Sequence, residues 1–379
     1  MLPYFENLVI LGSIFSILSV SLNLSMGWTG LFNLGHAAFF AIGAYVSALL
    51  TLGIGMPFWV AIVAAGFFAA VFGYLVSIPA RKLRGDYLAL GTLGFAFIVE
   101  AVLKNWTDVT RGPLGIPGIP KPELFGFVFS GLESYLLLTI AVLAITVFII
   151  HRTVNSPFGR VLKSVREDET AAKTLGKDTL RYKSLALTIS AFFAGIAGSL
   201  YAHYITFIDP TSFSFPVLIL LLSMVIIGGT ASIRGSIAGA FLLILLPEPL
   251  RFIGLPSNLI GAGRQMIYAA ILLIILLKRP GGLFGEYSWH AKHSRTSDKQ
   301  SLSAGVFRGK KNTYVVEDSE QQFVAIKTKD GILLKTLPKD PIAALQKEGE
   351  KLKGISRKDL RKMAHEEALR EAGKWSMKK

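Results

Sequence analysis

Apolar runs long enough to cross a bilayer recur throughout the first 285 residues of the chain. A helix needs about 20 apolar residues to span the hydrocarbon core, where its backbone groups must be hydrogen-bonded within the protein. Such runs, some of them short, are Leu8–Met26, Leu31–Leu52, Phe58–Ile78, Tyr87–Leu103, Leu132–Ile150, Leu185–Phe207, Phe215–Gly229, Ile237–Ile253 and Gln265–Leu277. Because the short runs also fit re-entrant or broken helices, the pattern predicts an all-α polytopic membrane protein with 8 to 10 transmembrane helices.

Charged residues divide the chain into two regions. Residues 1–285 carry 19 Lys and Arg against 12 Asp and Glu, whereas the much shorter stretch 286–379 carries 21 against 13. We therefore expect an apolar transmembrane domain at 1–285 and a small, hydrophilic, basic tail at 286–379. The chain has no cysteine, which excludes disulfide bonds and thiolate chemistry.

The tail contains signals for a β-hairpin and a helix. The stretch Thr313–Leu337 has two alternating apolar runs around a Lys-Asp-Gly turn, which indicates a hairpin. Ser356 and Asp359 have the spacing of a capping box and begin a charged helical pattern. Aromatic residues are not interleaved with the basic ones, so we expect a solvated tail and no nucleic-acid partner.

The distribution of Lys and Arg predicts the orientation in the membrane. If the N-terminus lies outside, 14 of the 19 basic residues in 1–285 fall on the cytoplasmic side, including the eight between Arg152 and Lys183. Short cytoplasmic loops are enriched in Lys and Arg. The sequence therefore predicts an outside N-terminus and a cytoplasmic C-terminus.

One charged segment, "SPFGRVLKSVREDETAAKTLG" (Ser156 to Gly176), interrupts the apolar runs. Ser156 is suited to cap a helix, Pro157 to begin it and Gly176 to end it, so we expect a short amphipathic helix. Its less polar stripe comprises Leu162, Val165, Glu169, Ala172 and Gly176. Composition leaves two interpretations open: a helix lying on the bilayer surface, or a docking helix for a cytoplasmic partner.

Several stretches resemble a single family of transport proteins. The segment "SVREDETAAKTLG" is similar to the cytoplasmic coupling segment of permeases from ABC importers. The strings "NLGHAAFFAIGAY" (Asn33 to Tyr45), "LRGDYLALGTLGF" (Leu83 to Phe95) and "RPGGLFG" (Arg279 to Gly285), with the long stretch from Gly159 to Phe213, resemble LivM-type permeases of branched-chain amino acid ABC transporters.

The resemblance implies a multi-pass permease of a prokaryotic cell membrane with several partners. These are ABC ATPase subunits, a second LivH-like permease, an extracytoplasmic substrate-binding protein and the lipid bilayer. ATP and Mg would be bound by the partner ATPase, because no G-x-x-x-x-G-K-[ST] phosphate loop occurs in this chain. We therefore expect a transport subunit with neither a cofactor nor an enzymatic activity of its own.

The resemblance also implies candidate functional residues. Those expected to couple to the ATPase are Arg166, Glu167, Asp168, Glu169, Ala171, Ala172 and Gly176. Those expected along the substrate pathway are Asn33, Gly35, His36, Gly43 and Glu100. Each pathway candidate also has a structural interpretation: a hydrogen-bonded core histidine, close helix packing at the glycines, or a carboxylate paired at the membrane interface. No second His or Cys at metal spacing accompanies His36, so no metal site is expected.

The expected function is ATP-driven import of branched-chain or related amino acids by alternating access. Urea and short-chain amides are the alternative substrates, because permeases for them share these motifs. An ion-coupled secondary transporter would need several ionisable groups deep in its spans, where only His36 and Glu100 are candidates. A passive channel would not need a coupling helix.

Overall fold

A computed structural model describes residues 2–80, 86–124, 127–246, 248 and 282–284, and strands within 307–336. The chain divides into two compact units, Met1–Trp289 and His290–Lys379. The first unit is helical and contains the apolar runs, and the second contains a β-sheet.

Seven helices of the described residues are long and apolar enough to span a membrane, as the sequence predicts for its first seven runs. They are α1 (Leu2–Asn23, continued by a π-helical turn at Leu24–Trp28), α2 (His36–Gly53), α3 (Phe58–Ala80), α4 (Asp86–Asn105), α6 (Leu132–Asn155), α9 (Thr179–Ile205) and α10 (Phe215–Gly228, preceded by a 3-10 turn at Pro210–Phe213). The shorter helices are α5 (Thr107–Thr110), α7 (Pro157–Glu167), α8 (Glu169–Thr174) and α11 (Ile233–Leu245). The prediction of an all-α polytopic membrane protein is therefore confirmed for the first unit, which contains these spans.

The last two predicted spans reach beyond the described residues. Helix α11 has 13 residues and contains the start of the predicted span Ile237–Ile253. The remainder of that span, apart from Leu246 and Glu248, and all of the span Gln265–Leu277 lie outside the described residues.

Helix α1 lies at the centre of the first unit. Within its most apolar window 83% of the residues are buried, against 67% for α2 and α9, 28% for α6 and 22% for α4. Helices α4 and α6 thus expose apolar side chains around the bundle, as expected for surfaces that contact lipid. A displacement of α1 would shift several neighbouring helices, because α1 contacts α6, α9, α10 and α11.

Helices α2 and α9 touch through glycine. A Cβ atom added to Gly43 would overlap the backbone of Gly195, and one added to Gly198 would overlap the carbonyl of Phe40. Small residues that allow backbones to approach are common where membrane helices cross. The position of Gly43 thus fits the packing interpretation rather than a pathway lining.

The alternating direction of the long helices gives the bundle two distinct ends. The α7/α8 end, defined by those helices, also carries the end of α1, the start of α9 and the turn between α10 and α11. The opposite end, here the β1/β4 end, carries strand β1 (Ile116–Pro117) paired with β4 (Phe207–Ile208), and a pair formed by β2 (Glu123–Leu124) and β3 (Phe127–Val128).

The second unit contains a four-stranded antiparallel sheet. Its strands are β5 (Phe307–Arg308), β6 (Thr313–Asp318), β7 (Gln321–Thr328) and β8 (Gly331–Thr336), hydrogen-bonded in that order. In the register Thr328 pairs with Gly331, which leaves two residues between β7 and β8. These two strands fall in the stretch for which the sequence predicts a hairpin, whereas the helix predicted from Ser356 lies outside the described residues.

Candidate coupling site

The segment 156–176 forms two helices, so the prediction of one continuous helix is wrong. Helix α7 ends at Glu167, and Asp168 has an extended backbone with φ −156° and ψ 105°. Its carboxylate accepts hydrogen bonds from the backbone N–H groups of Thr170 (2.8 Å) and Ala171 (3.0 Å) and thereby begins α8. The physical reason for the break is this side chain, which satisfies backbone donors at a new helix start and competes with continuation of α7.

Both predicted end signals of the segment are confirmed. The Ser156 hydroxyl accepts a hydrogen bond from the Gly159 N–H at 3.4 Å at the start of α7. After α8, Gly176 has φ +75°, its N–H bonds to the Lys173 carbonyl (3.0 Å), and the Lys177 N–H bonds to the Ala172 carbonyl (3.1 Å). These two bonds are those of a Schellman motif, in which glycine tolerates the left-handed conformation.

The apolar stripe of the two helices is occupied by the protein itself. Leu162, Val165 and Ala172 are buried, and the ring of Phe158 stacks on Tyr182 of α9 at 5.4 Å between centroids. A helix that lies on a bilayer must offer its apolar face to lipid. Since this face packs against the bundle, the bilayer-surface interpretation loses its physical basis.

The solvent-facing side of α8 carries small side chains and one large apolar side chain. Thr170, Ala171 and Thr174 are exposed, and Leu175 is 78% exposed. Glu167 and Gly176 are exposed beside them. The two helices therefore present a surface at one end of the bundle that combines an apolar protrusion with close access to the backbone.

Glu169 ties α8 to the start of α9. Its Oε2 lies 2.5 Å from the Lys183 ammonium, and its Oε1 lies 2.9 Å from the Lys173 ammonium and 3.2 Å from the Thr179 hydroxyl. Burial alone would raise the pKa of the Glu169 carboxyl, but the hydrogen bonds from Lys183 and Lys173 lower it to about 2. The carboxylate is ionised at neutral pH and engaged within the chain.

Arg166 faces the bundle and bonds to the end of α1. Its guanidinium Nη1 donates a hydrogen bond to the carbonyl of Gly27, in the π-helical turn that continues α1. The side chain also packs at Gly30, where an added Cβ would lie 3.0 Å from the Arg166 Cγ. A cation at a helix C-terminus is favourable, because the last carbonyls have no partners within the helix.

Asn23 forms a second cluster at this end of the bundle, which the sequence analysis did not identify. The residue is fully buried in the last turn of α1. Its Nδ2, which has two hydrogens, lies within hydrogen-bonding distance of three acceptors, the Gly229 carbonyl (3.2 Å), the Ser232 carbonyl (3.1 Å) and the Ser236 hydroxyl (2.6 Å), and its Oδ1 accepts from the Ala231 N–H (2.9 Å). The only signal in the sequence is an Asn inside an apolar run, since a buried amide needs partners.

Three of the pathway candidates lie together between the π-helical turn and α2. Asn33 is 1% exposed, and its Oδ1 accepts from the Gly35 N–H at 3.0 Å. Its Nδ2 has no acceptor among the described residues. His36 is fully buried at the start of α2, with Nε2 3.0 Å from the Ser21 hydroxyl. This arrangement fits the interpretation of a hydrogen-bonded core histidine.

Glu100 lies apart from these residues. It forms an exposed pair with Lys104 at 2.6 Å, one turn further along α4. On α4 the residue nearest the other candidates along the helix axis is represented by Thr92, whose hydroxyl accepts a hydrogen bond from the Leu34 N–H at 3.0 Å. Eight residues of helix separate Thr92 from Glu100, which is about 12 Å. The structure therefore brings Asn33, Gly35 and His36 together but not Glu100.

A polar cluster at the β1/β4 end was also missed by the sequence analysis. Ser47 of α2 lies 2.7 Å from the Ser199 hydroxyl and 2.9 Å from Nε2 of His203, both on α9. Nδ1 of His203 lies 2.6 Å from the Pro120 carbonyl, which can only accept, so Nδ1 carries a proton. The cluster fastens the segment between α4 and α6 to the helices.

Comparison with known proteins places this arrangement in a family. The family model described as "Branched-chain amino acid transport system / permease component" matches residues 4–277. The chain is 38% identical over 293 residues to the high-affinity branched-chain amino acid transport system permease protein LivM of Escherichia coli (strain K12), which covers 71% of this chain and 67% of LivM. It is 28% identical over 324 residues to a probable branched-chain amino acid transport permease protein LivM of Methanocaldococcus jannaschii, covering 72% and 91%.

A relative with a different named substrate matches a shorter stretch. The guanosine ABC transporter permease protein NupQ of Bacillus subtilis is 31% identical over 196 residues, which covers 47% of this chain and 60% of NupQ. The family model, in contrast, covers the seven long helices of the described residues, apart from the first two residues of α1. The chain therefore belongs to the family of permease components of branched-chain amino acid transport systems.

Proposed function

We propose that this chain imports branched-chain or related amino acids as one permease of an ABC transporter, and that its α7/α8 pair receives a separate ATPase. The observation that carries the proposal is the two-sided character of that pair. Its inner side is bonded to α1 through Arg166 and to α9 through Glu169, while its outer side exposes Ala171, Thr174 and Leu175. A rigidly held pair with an accessible apolar outer side suits transmission of movement from a bound partner.

The remaining partners follow from this role. ATP and Mg would be bound by the ATPase subunits, and a second LivH-like permease would complete the membrane domain. An extracytoplasmic substrate-binding protein would dock at the β1/β4 end, where the loop fastened by His203 lies. The N-terminus would then be outside and the second unit in the cytoplasm of a prokaryotic cell. The positive charge at the α7/α8 end supports this orientation.

The docking role is tested at Leu175. We expect Leu175→Asp to lower co-purification of the ATPase, because a charge would replace an apolar side chain at the centre of the contact, and removal of a central anchor weakens binding by about 30-fold. The matched control is Leu114→Asp, which changes a leucine that is 82% exposed at the β1/β4 end. Full ATPase association and normal leucine uptake in the Leu175 variant would refute the docking role.

The substrate is tested by competition. Uptake of labelled leucine into vesicles containing the complete transporter should be inhibited by isoleucine and valine, and not by urea, acetamide or guanosine. Guanosine is included because of the similarity to NupQ. Inhibition by urea or acetamide instead would assign the alternative substrate class, and inhibition by guanosine would assign a nucleoside.

A further inference from the structure

We infer that Arg166, Gly27 and Asn23 form a relay that carries movement of the α7/α8 pair into helix α1 and into the turn between α10 and α11. The relay rests on the proposed function, because it requires that α7/α8 be moved by a partner. It assigns Arg166 a positioning role inside the permease rather than a contact with the ATPase.

The first contact of the relay joins α7 to α1. The guanidinium of Arg166 donates to the carbonyl of Gly27, one of the carbonyls left without a helical partner where α1 ends. Gly30 follows with φ +74°, and its Cα lies so close to Arg166 that an added Cβ would be 3.0 Å from Cγ and 3.7 Å from Cα of the arginine. The backbone of α7 therefore rests directly on the end of α1, and the hydrogen bond fixes the register of that contact.

The second contact joins α1 to the turn between α10 and α11. A Cβ on Gly27 would overlap Oδ1 of Asn23 and the backbone nitrogen of Ala231, so these three groups are in mutual contact. The side-chain nitrogen and the side-chain oxygen of Asn23 both hydrogen-bond to groups within residues 229–236. Ala231 adopts a left-handed conformation, φ +61°, which is unfavourable for alanine and is supported here by the bond from its N–H to Asn23.

A third set of contacts extends the network to residues 282–284. The Leu283 N–H donates to the Ile227 carbonyl (2.8 Å) and the Phe284 N–H to the Gly228 carbonyl (2.9 Å). A Cβ on Gly282 would lie 2.6 Å from the Cα of Gly229. The end of α10 is thus held between the Asn23 cluster and residues 282–284, so the turn moves with α1 rather than independently of it.

The π-helical turn makes the end of α1 suitable for this task. Such wide turns are rare, and they are frequently found at functional sites. Here the Leu31 N–H bonds at 3.0 Å to the Ser25 carbonyl six residues earlier, so the turn ends with a backbone bond outside the α-helical pattern. Since the rest of α1 lies at the centre of the bundle, displacement of its end would reach several spans.

The test separates coupling from assembly. The complete transporter, with its ATPase, second permease and binding protein, is reconstituted with Arg166→Gln or Asn23→Ala permease, and ATP hydrolysis and leucine uptake are measured in the same vesicles. The matched control is Arg160→Gln, which removes a charge from an exposed position of the same helix. Arg166→Lys retains the positive charge with a single donor group.

The expected result is uncoupling. ATPase co-purification and ATP hydrolysis should stay near wild type, while uptake per ATP falls by roughly 2- to 30-fold in both variants, the range reported for residues within a coupling network. Arg160→Gln should be unaffected and Arg166→Lys intermediate. The double variant should lose about as much coupling as either single variant, because residues in one network act non-additively.

Three outcomes would overturn the relay. Unchanged uptake per ATP in Arg166→Gln would show that the hydrogen bond to Gly27 does not contribute to coupling. Strictly additive losses in the double variant would show that Arg166 and Asn23 act independently. Loss of ATPase co-purification in Arg166→Gln, with the variant still monodisperse in detergent, would return Arg166 to the docking surface. Failure of the wild-type permease to bind an ATPase would refute the proposed function itself, which is a separate result.

Discussion

At the scale of single residues, the structure distinguishes groups that face a partner from groups that hold the coupling helices in place. The sequence identifies Glu169 as a functional carboxylate but does not show whether its side chain faces a partner or the chain itself. Its ion-pair partner Lys183 lies on α9, and only the turn between α8 and α9 brings the two side chains together. Asn23 was missed for a similar reason. Its partners lie more than 200 positions further along the chain, and no local spacing indicates them.

The Glu169 ion pairs predict a pH-dependent stability. The pKa of Glu169 in the folded chain is about 2, below its ordinary value of 4.5, so the stabilisation is fully present above pH 4.5 and is lost as the pH falls toward 2. The Glu169 side chain is partly exposed, at 22%, and screening by the solvent that reaches it limits the contribution to about 1 kcal/mol. We expect Glu169→Gln to melt about 2 to 4 °C below wild type at pH 7, with the gap narrowing as the pH falls from 4.5 to 3.

Thermal unfolding of the purified permease in detergent, followed by intrinsic fluorescence between pH 3 and 7, provides the measurement. Glu167→Gln controls for the loss of one carboxylate from the same segment. A gap between wild type and Glu169→Gln that is constant across this pH range would argue against a stabilising ion pair.

At the scale of secondary structure elements, apolar length predicts helices well and predicts their breaks poorly. The first seven runs correspond to seven long helices, because a helix satisfies the backbone polar groups of an apolar run within the run itself. The break at Asp168 was not predicted, since helical periodicity runs across it. An Asp followed by small residues is nevertheless a helix-start signal. The π-helical turn after Asn23 has no signal in periodicity at all.

The end of α8 predicts a different response to two substitutions at Gly176. No atom lies within 4 Å of an added Cβ at this position, so a side chain meets no clash and the cost is conformational. Valine in the left-handed conformation costs roughly 1–2 kcal/mol, whereas asparagine tolerates it. We expect hydrogen exchange at the amides of Gly176 and Lys177 to accelerate roughly 5- to 30-fold in Gly176→Val. Gly176→Asn should stay close to wild type, and equal acceleration in both variants would contradict the Schellman motif as the end of α8.

At the scale of the whole molecule, the first unit has one strongly basic end. Among the described residues nine Lys and Arg lie at the α7/α8 end, from Arg152 to Lys183 and at Arg234, and three lie at the β1/β4 end, at Lys104, Arg111 and Lys121. The sequence predicts this separation because charge counts need only the order of the spans. The second unit shows the opposite case. It lies beyond residues 4–277 that match the family model, so membership of the family predicts nothing about its role.

The charge asymmetry predicts which end of the first unit faces the cytoplasm. Each Lys or Arg near an anionic cytoplasmic surface gains about 1 kcal/mol, so an excess of six at the α7/α8 end outweighs the effect of any single residue. Because the chain has no cysteine, single cysteines can be introduced at Lys177, exposed at the α7/α8 end, and at Leu114, exposed at the β1/β4 end. A membrane-impermeant maleimide added to intact cells should label Leu114→Cys and leave Lys177→Cys unlabelled. Permeabilised cells should show labelling of both, which confirms that position 177 is reactive. Labelling of Lys177→Cys from outside at the rate of Leu114→Cys would invert the orientation, and with it the assignment of α7/α8 as the surface that meets a cytoplasmic ATPase.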